Sequence, residues 1–439
     1  MELPRAGGNQ GLRGPVDQGE AFPNPVPSTV VITVGDELLL GDTVDSNAAR
    51  IGRALEVLGA PVVRCETVGD EAGAISGAVA HALDDGDLVV VTGGLGPTPD
   101  DVTREVVAEL FGIPLRSDPD LVAALRARFR AAGSGTFPEG NLRQAMVPEG
   151  ARVLPNARGT APGLALEREG RWVVLLQGVP GELEGMLAGP VRDLVLEIFG
   201  ARLRPPVHRF MRTTGIAESR LAERVEALLP AERGPVRLAY LPSVRGVDLR
   251  FTVAGGVGRD EAGTWIERME GALDDLAPYR YPDEDLVATV ANLLERSRRS
   301  LAVAESCTGG LLAKRLTDRA GASEWFSGGV VAYSDYSKME PLGVAPALLA
   351  RVGAVSEEVA RSMANGVARV FRADAGVGIT GIAGPSGGTP DKPVGTVCYA
   401  VAVGERTAAK TKVFVGDRDG VRERSAQAAL YLLYRTLSE

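Results

Sequence analysis

The chain has almost no histidine: two in 439 residues, His81 and His208. A histidine-based triad or a histidine zinc site is therefore excluded from the C-terminal third, unless another chain supplies the imidazole. A metal in the N-terminal part would rest on carboxylates and water, which favours a hard or borderline divalent ion. Cysteine is also scarce. Cys65, Cys307 and Cys398 are odd in number and widely spaced, so they make neither a disulfide framework nor a CxxC metal site, which fits a reducing cytosol. No apolar run reaches the ~18 residues needed to span a bilayer. The formal net charge is −9 and no basic stripe with interleaved aromatics is present, which argues against direct nucleic-acid binding. Residues 1–27 lack an apolar signal core and read as a disordered extension. The expectation is a cytoplasmic protein with neither membrane nor nucleic acid as partner.

What is present is a multidomain α/β pattern, since the length exceeds one ordinary core. Over 28–202 strand and helix patterns alternate. STVVITVG, PVVRCETV and DLVVVTGG read as strands, and SNAARIGRALEVLG as a helix capped by Ser46. AISGAVAHAL and DDVTREVVAELFG read as further helices, which predicts a parallel sheet covered on both faces. A hairpin, GLALERE-GR-WVVLLQGVP, precedes a helix from about Gly181 to Phe199. Residues 203–281 read strand, helix, strand, strand, helix, a small α+β module without a catalytic constellation. Residues 282–439 return to α/β, with strands at LAVAES, GGVVAYS, AGVGIT, VGTVCYAVAV and TAAKTKVFV and a long closing helix.

In that last stretch Ser306 sits where LAVAE runs into the glycine-rich turn CTGG. Backbone N–H groups of the next turn could stabilise an oxyanion or phosphate there, and Gly309 and Gly310 allow close approach. The competing reading is a serine that merely caps the helix. Tyr333 and Lys338 follow the strand of GGVVAYSDYSK, and a desolvated lysine can serve a serine as base where no histidine exists. GITGIAGPSGGTPDKPVG, with Thr380 at its start, reads as a substrate-holding loop. Together these point to a site with a serine nucleophile helped by lysine or tyrosine. Cys307 is the rival nucleophile, since a helix N-terminus lowers a thiol pKa.

The other informative segment is VTGGLGPTPDD. Gly93, Gly94 and Gly96 leave backbone open to a phosphate, while Asp100 and Asp101 could bind a divalent metal or simply cap the next helix. Asp36, Glu37 and Asn47, in VGDELLLGDTVDSN, face it from the first strand.

AESCTGG, GGVVAYS…K and GITGIAGP, in this order, resemble the C-terminal domain of the CinA (competence/damage-inducible) family over most of 283–439. Standalone members of that family are nicotinamide mononucleotide deamidases. The resemblance implies Ser306 as nucleophile, Lys338 as base and Tyr333 as proton-transfer partner, without a cofactor. It implies Ser323 and Thr380 as substrate contacts, with Arg422 or Arg424 at the phosphate. Tyr336 and Met339 depart from the smaller or aliphatic residues expected beside Lys338. NLRQAMVPEGA, NARGTAPG and QGVPGEL extend the likeness to the family's N-terminal domain, which has a molybdopterin-binding fold. Divalent-metal-dependent ADP-ribose pyrophosphatase activity is associated with that domain. Transferred here, Asp100, Asp101 and Glu37 are metal-ligand candidates, and Gly94, Thr98, Asn47 and Thr160 hold phosphate or ribose. The middle module resembles the family's linker domain, and a homodimer is expected from the resemblance. The resulting expectation is a bifunctional pyridine-nucleotide salvage enzyme. A molybdopterin-binding protein, or an interaction protein for competence or DNA damage, is the alternative.

Overall fold

The structure, a computed structural model, describes residues 25–131, 133 and 137–439, so the expected tail lies outside the described residues up to residue 24. The chain forms two compact units, one reaching Pro206 and taking in Ala254–Gly256, the other formed by Val207–Val253 and Val257–Glu439.

The first unit holds a six-stranded sheet. Its strands are β1 (Thr29–Val34), β2 (Val62–Val68), β3 (Leu88–Thr92), β4 (Arg152–Leu154), β5 (Gly163–Arg168) and β6 (Arg171–Leu176), in the order β2-β1-β3-β6-β5-β4. The parallel expectation holds for β2, β1, β3 and β6; β5 and β4 are antiparallel and make the sheet mixed. The reason is the hairpin. Glu169 and Gly170 both have positive φ, the two-residue turn whose twist suits paired strands, and β5 must then return antiparallel to β6. β1 and β3 are buried along their whole length, as their unbroken apolar runs require of central strands covered on both faces. Helices α1 (Asn47–Leu58), α2 (Ala72–Asp85) and α3 (Thr103–Phe111) follow the strands as expected.

Two local expectations need correction. Ser46 occupies the N-cap position of α1 but makes no capping bond; Asp45 Oδ1 accepts from the Asn47 and Ala48 amides instead, both at 3.0 Å. The helix read as continuous from Gly181 to Phe199 widens into a π-turn over Leu187–Val191, where Pro190 has no N–H to give to the regular ladder.

In the second unit, the module after residue 206 is an antiparallel sheet in the order β8-β9-β7-β10, built from β7 (Val207–Thr213), β8 (Val236–Ser243), β9 (Gly246–Val253) and β10 (Arg280–Tyr281). Helices α4 (Glu218–Leu228) and α5 (Arg259–Gly271) cover one face through Leu221, Val225, Ile266 and Met269. A five-stranded sheet follows, ordered β12-β11-β13-β14-β15, from β11 (Leu301–Glu305), β12 (Phe326–Val331), β13 (Ala375–Gly381), β14 (Thr396–Val403) and β15 (Arg406–Val413). β12, β11 and β13 are parallel; β14 and β15 return antiparallel. One face packs on α6 (Leu286–Ser297), α7 (Leu311–Thr317) and α9 (Arg418–Ser438), the other on α8 (Glu357–Phe371). Sequence reading missed α8, although Val359, Ala360, Met363, Ala364 and Val367 recur at helical spacing and are all buried. No helix among the described residues is long and apolar enough to cross a membrane.

Candidate active site

Three parallel strands, the edge strand β12 with β11 and β13, end side by side in the C-terminal sheet. The Ser306 amide donates to the Ile379 carbonyl at 2.9 Å, and the Ala332 amide to the Glu305 carbonyl at 2.7 Å. The loops leaving β11, β12 and β13 therefore open together, at the end of a parallel array where ligands bind. Strand pleating then sorts the side chains. Leu301 and Val303 face α6 and α9, while Ala302 and Ala304 face α8. Continued past the strand, this alternation sends Glu305 towards α7 and Ser306 towards the α8 side. Thr380 lies on that same side, its hydroxyl donating to the Ala354 carbonyl at 2.9 Å. So does the β12 loop, since Ala332 packs among the α8 residues.

The helix-capping reading of Ser306 is wrong. Gly310 is the N-cap of α7, and the first-turn amides are taken by Glu305, a residue that sequence reading passed over as the end of a strand. Its Oε2 accepts from Gly310 at 3.1 Å and Leu312 at 3.0 Å, and its Oε1 from Ala313 at 2.8 Å. These amides are thus spoken for and do not meet an oxyanion, contrary to the general expectation for this turn. Gly309 and Gly310 sit at φ 60° and 91°, a left-handed path that residues with a Cβ resist, and it folds the turn back over Glu305. Glu305 is 1% exposed. Glu305→Ala strips three donors of their acceptor and is expected to lower unfolding stability by about 2–4 kcal/mol. Glu305→Gln, which keeps one acceptor oxygen, should lose less in the same denaturant titration.

Lys338 is 2% exposed, and burial pushes its amine below the ordinary lysine range. Its Nζ donates to the Ala332 carbonyl at 3.0 Å and more weakly to Ser334 at 3.4 Å, leaving donor capacity unspent. Ser306, in the neighbouring loop, is buried too, 7% exposed. The capping box of Ser334 and Ser337 starts the short helix Asp335–Met339 and fixes where the lysine emerges. Tyr336 is exposed, so its departure from the expected residue type does not crowd the lysine. Tyr333 is exposed too, not a core aromatic, and its hydroxyl accepts from Arg418 at 2.9 Å.

The two arginines have different partners. Arg422 lies over the serine turn, its Nη2 donating to the Thr308 carbonyl at 2.9 Å. Arg424 donates to Val415 at the base of its own helix. Ser323 does not join the group. It precedes β12, so it lies at the opposite end of the sheet from the loop that carries Tyr333 and Lys338. Cys307 packs into the core with Leu312 and Val421, and burial pushes its thiol up to about 12. Burial outweighs the helix terminus, and the thiolate a nucleophile requires is withheld.

In the first unit, a cleft at the ends of β1 and β3 is lined by Thr33, Glu37, Asp45, Asn47, Thr92 and Gly178. Asn47 donates to the Gly178 carbonyl at 2.7 Å, and its Oδ1 is buried without a partner. The remaining candidates lie outside this lining. At Gly94 the space a Cβ would fill is held by Thr103 Oγ1, so its openness serves packing against α3 and not ligand approach. Asp101 is engaged by Thr98, whose amide donates to it at 2.8 Å. Neither Asp100 nor Asp101 caps α3, whose N-cap is Val102 without a side-chain bond. Thr160 is exposed on the β4–β5 loop. Asp100, Asp101 and Glu37 do not form a metal cage, and among the described residues no group of three such donors does. Acidic side chains do converge nearby: Asp70 is pushed up by burial and by Asp36, Glu37 and Asp100 around it.

Residues 283–437 match the model of the CinA C-terminal domain, 30–196 that of a probable molybdopterin binding domain, and 208–279 that of the damage-inducible protein CinA KH domain. A CinA-like protein of Gemmatimonas aurantiaca is 45% identical over 93% of this chain and 96% of its own length. A putative competence-damage inducible protein of Symbiobacterium thermophilum is 43% identical over 93% of this chain and 98% of its own. Among solved structures, the protein CinA with unknown function from Thermoplasma acidophilum is 40% identical over 38% of this chain and 98% of its own, with a TM-score of 0.36.

Proposed function

The chain belongs to the CinA family, and from that premise we propose that its C-terminal site hydrolyses the carboxamide of nicotinamide mononucleotide to nicotinate mononucleotide and ammonia. The observation that carries this reading is a buried serine and a buried, pKa-lowered lysine on the same side of adjacent strand ends, in a sheet with no histidine. Ser306 Oγ attacks the amide carbon while the neutral amine of Lys338 takes the hydroxyl proton. Returning that proton to the nitrogen, by way of Tyr333, lets ammonia leave and an acyl ester form on Ser306. Water, deprotonated by the same amine, then releases nicotinate mononucleotide and restores the serine. Arg422 and Thr380 hold the substrate, the arginine at its phosphate. The test is ammonia release from nicotinamide mononucleotide by the intact chain. Release that is much slower from the riboside, which lacks the phosphate, supports both the reaction and the arginine's role. A well-folded protein that releases none from either substrate rules the reading out.

A second activity fits the first unit: metal-dependent cleavage of ADP-ribose to AMP and ribose 5-phosphate in the cleft of Glu37 and Asn47. The unpartnered Asn47 Oδ1 suits a ribose hydroxyl. Because the carboxylates make no cage of their own, a divalent ion there would be completed by substrate phosphates and water. Magnesium alone is then expected to leave the thermal transition of the intact chain unchanged. Magnesium with ADP-ribose at ~100 times its Kd should add about 2.7 kcal/mol of stability, read by calorimetry.

A further inference from the structure

Arg418 is the first residue of α9 and was singled out by nothing in the sequence. Its Nη2 donates to the Tyr333 hydroxyl at 2.9 Å and its Nη1 to the Gly384 carbonyl at 2.6 Å. Tyr333 belongs to the loop after β12 and Gly384 to the loop after β13, and these strands flank β11 on opposite sides. One guanidinium therefore spans the mouth from which Ser306 emerges. One helical turn further on, Arg422 holds the Thr308 carbonyl of the middle loop. Residues four apart share a helix face, so α9 addresses all three loops from a single side.

Tyr333 is 60% exposed, and packing alone does not hold a phenol so placed in one orientation. Arg418 does so with a fixed fork: one donor on the hydroxyl, the other anchored on backbone. We propose that Arg418 is a positioning residue that holds the Tyr333 hydroxyl at the mouth of the site, and that in doing so it ties the β12 and β13 loops together. Arg418 acts through Tyr333 and moves no proton itself.

The proposal's kinetic part rests on the deamidase reading, whereas its structural part does not. In hydrogen-exchange mass spectrometry of the intact chain, Arg418→Ala is expected to raise exchange in the segments around 332–338 and 382–388 together. Unchanged protection in both, or loss in one alone, overturns the proposal whether or not the protein turns over nicotinamide mononucleotide. With an active wild type, Arg418→Ala should lower kcat roughly 10-fold with little change in KM, because it misplaces a group without removing it. Arg418→Lys, which keeps a donor, should recover part of that loss. In a Tyr333→Phe background the Arg418→Ala change should add nothing further. Additive losses in the double variant overturn the action through Tyr333. A raised KM with unchanged kcat also overturns it, and assigns the arginine to the substrate's anionic group. Absence of ammonia release from wild type counts against the deamidase reading, and the exchange data still decide the tie.

Discussion

Ser306→Ala is expected to cut ammonia release from nicotinamide mononucleotide by roughly 10³-fold or more, since a covalent route loses its acceptor atom and not merely an orienting contact. Cys307→Ala should leave the reaction largely intact. The two residues are neighbours in one turn, and composition alone favours the cysteine, whose thiolate is the stronger nucleophile. Their environments reverse that order. Cys307 faces the core of α7 and α9, and its thiol, pushed up to about 12, stays protonated at neutral pH. Ser306 opens towards the lysine's side of the sheet. Alanine is smaller than serine and fits the same space, so the melting temperature of Ser306→Ala should stay near wild type. Full activity in Ser306→Ala, or its loss in Cys307→Ala with an unchanged fold, would overturn the serine assignment.

Lys338→Met should cost turnover by about 10²- to 10⁴-fold, the scale of a lost general base. Its effect on stability has the opposite sign. The folded-state pKa of Lys338 lies below its ordinary 10.5 because burial disfavours the charged amine. Between the folded and unfolded values the unfolded chain binds more protons, so stability from this group rises with pH and is fully present only above 10.5. Near neutral pH wild type therefore carries a cost that methionine removes. The variant should melt at the same or a higher temperature while being nearly inactive. In wild type, the acid limb of kcat should fall below the usual lysine range, since the neutral amine is the competent form. A variant that is both inactive and strongly destabilised would show that Lys338 is structural.

Much of this site is legible in the sequence, because its residues sit at strand ends flanked by glycine and the strands announce themselves by apolar runs. LAVAE, GGVVAYS and AGVGIT all lead into the loops that converge, and their order suffices to nominate Ser306, Lys338, Tyr333 and Thr380. Ser323 was implied only by the family resemblance, and the direction of β12 carries it to the far end of the sheet from the loop of Tyr333 and Lys338. Glu305 and Arg418 escape notice because each acts across a break in the chain pattern. A carboxyl group ending an apolar strand gives no sign that it will turn back onto three amides. An arginine in GDRDG gives no sign of the two loops it reaches.

By itself the sequence determined most element types, the absence of histidine from the C-terminal third, and the strand-end loops that could carry a reaction. These follow from local quantities: residue counts, apolar periodicity and glycine at turns. Only the tertiary structure showed that Ser306 and Cys307 meet different surroundings, that Arg422 and Arg424 bond to different carbonyls, and which glycines pack and which turn. It also left Asp100, Asp101 and Glu37 short of a metal cage among the described residues, with Glu37 and Asp100 instead near Asp70. The physical reason is that reactivity depends on burial and on the partner each polar atom finds. Pleating assigns successive residues to opposite faces, so neighbours in the chain can meet different dielectrics, and residues more than eighty positions apart, such as Tyr333 and Arg418, can share one hydrogen bond.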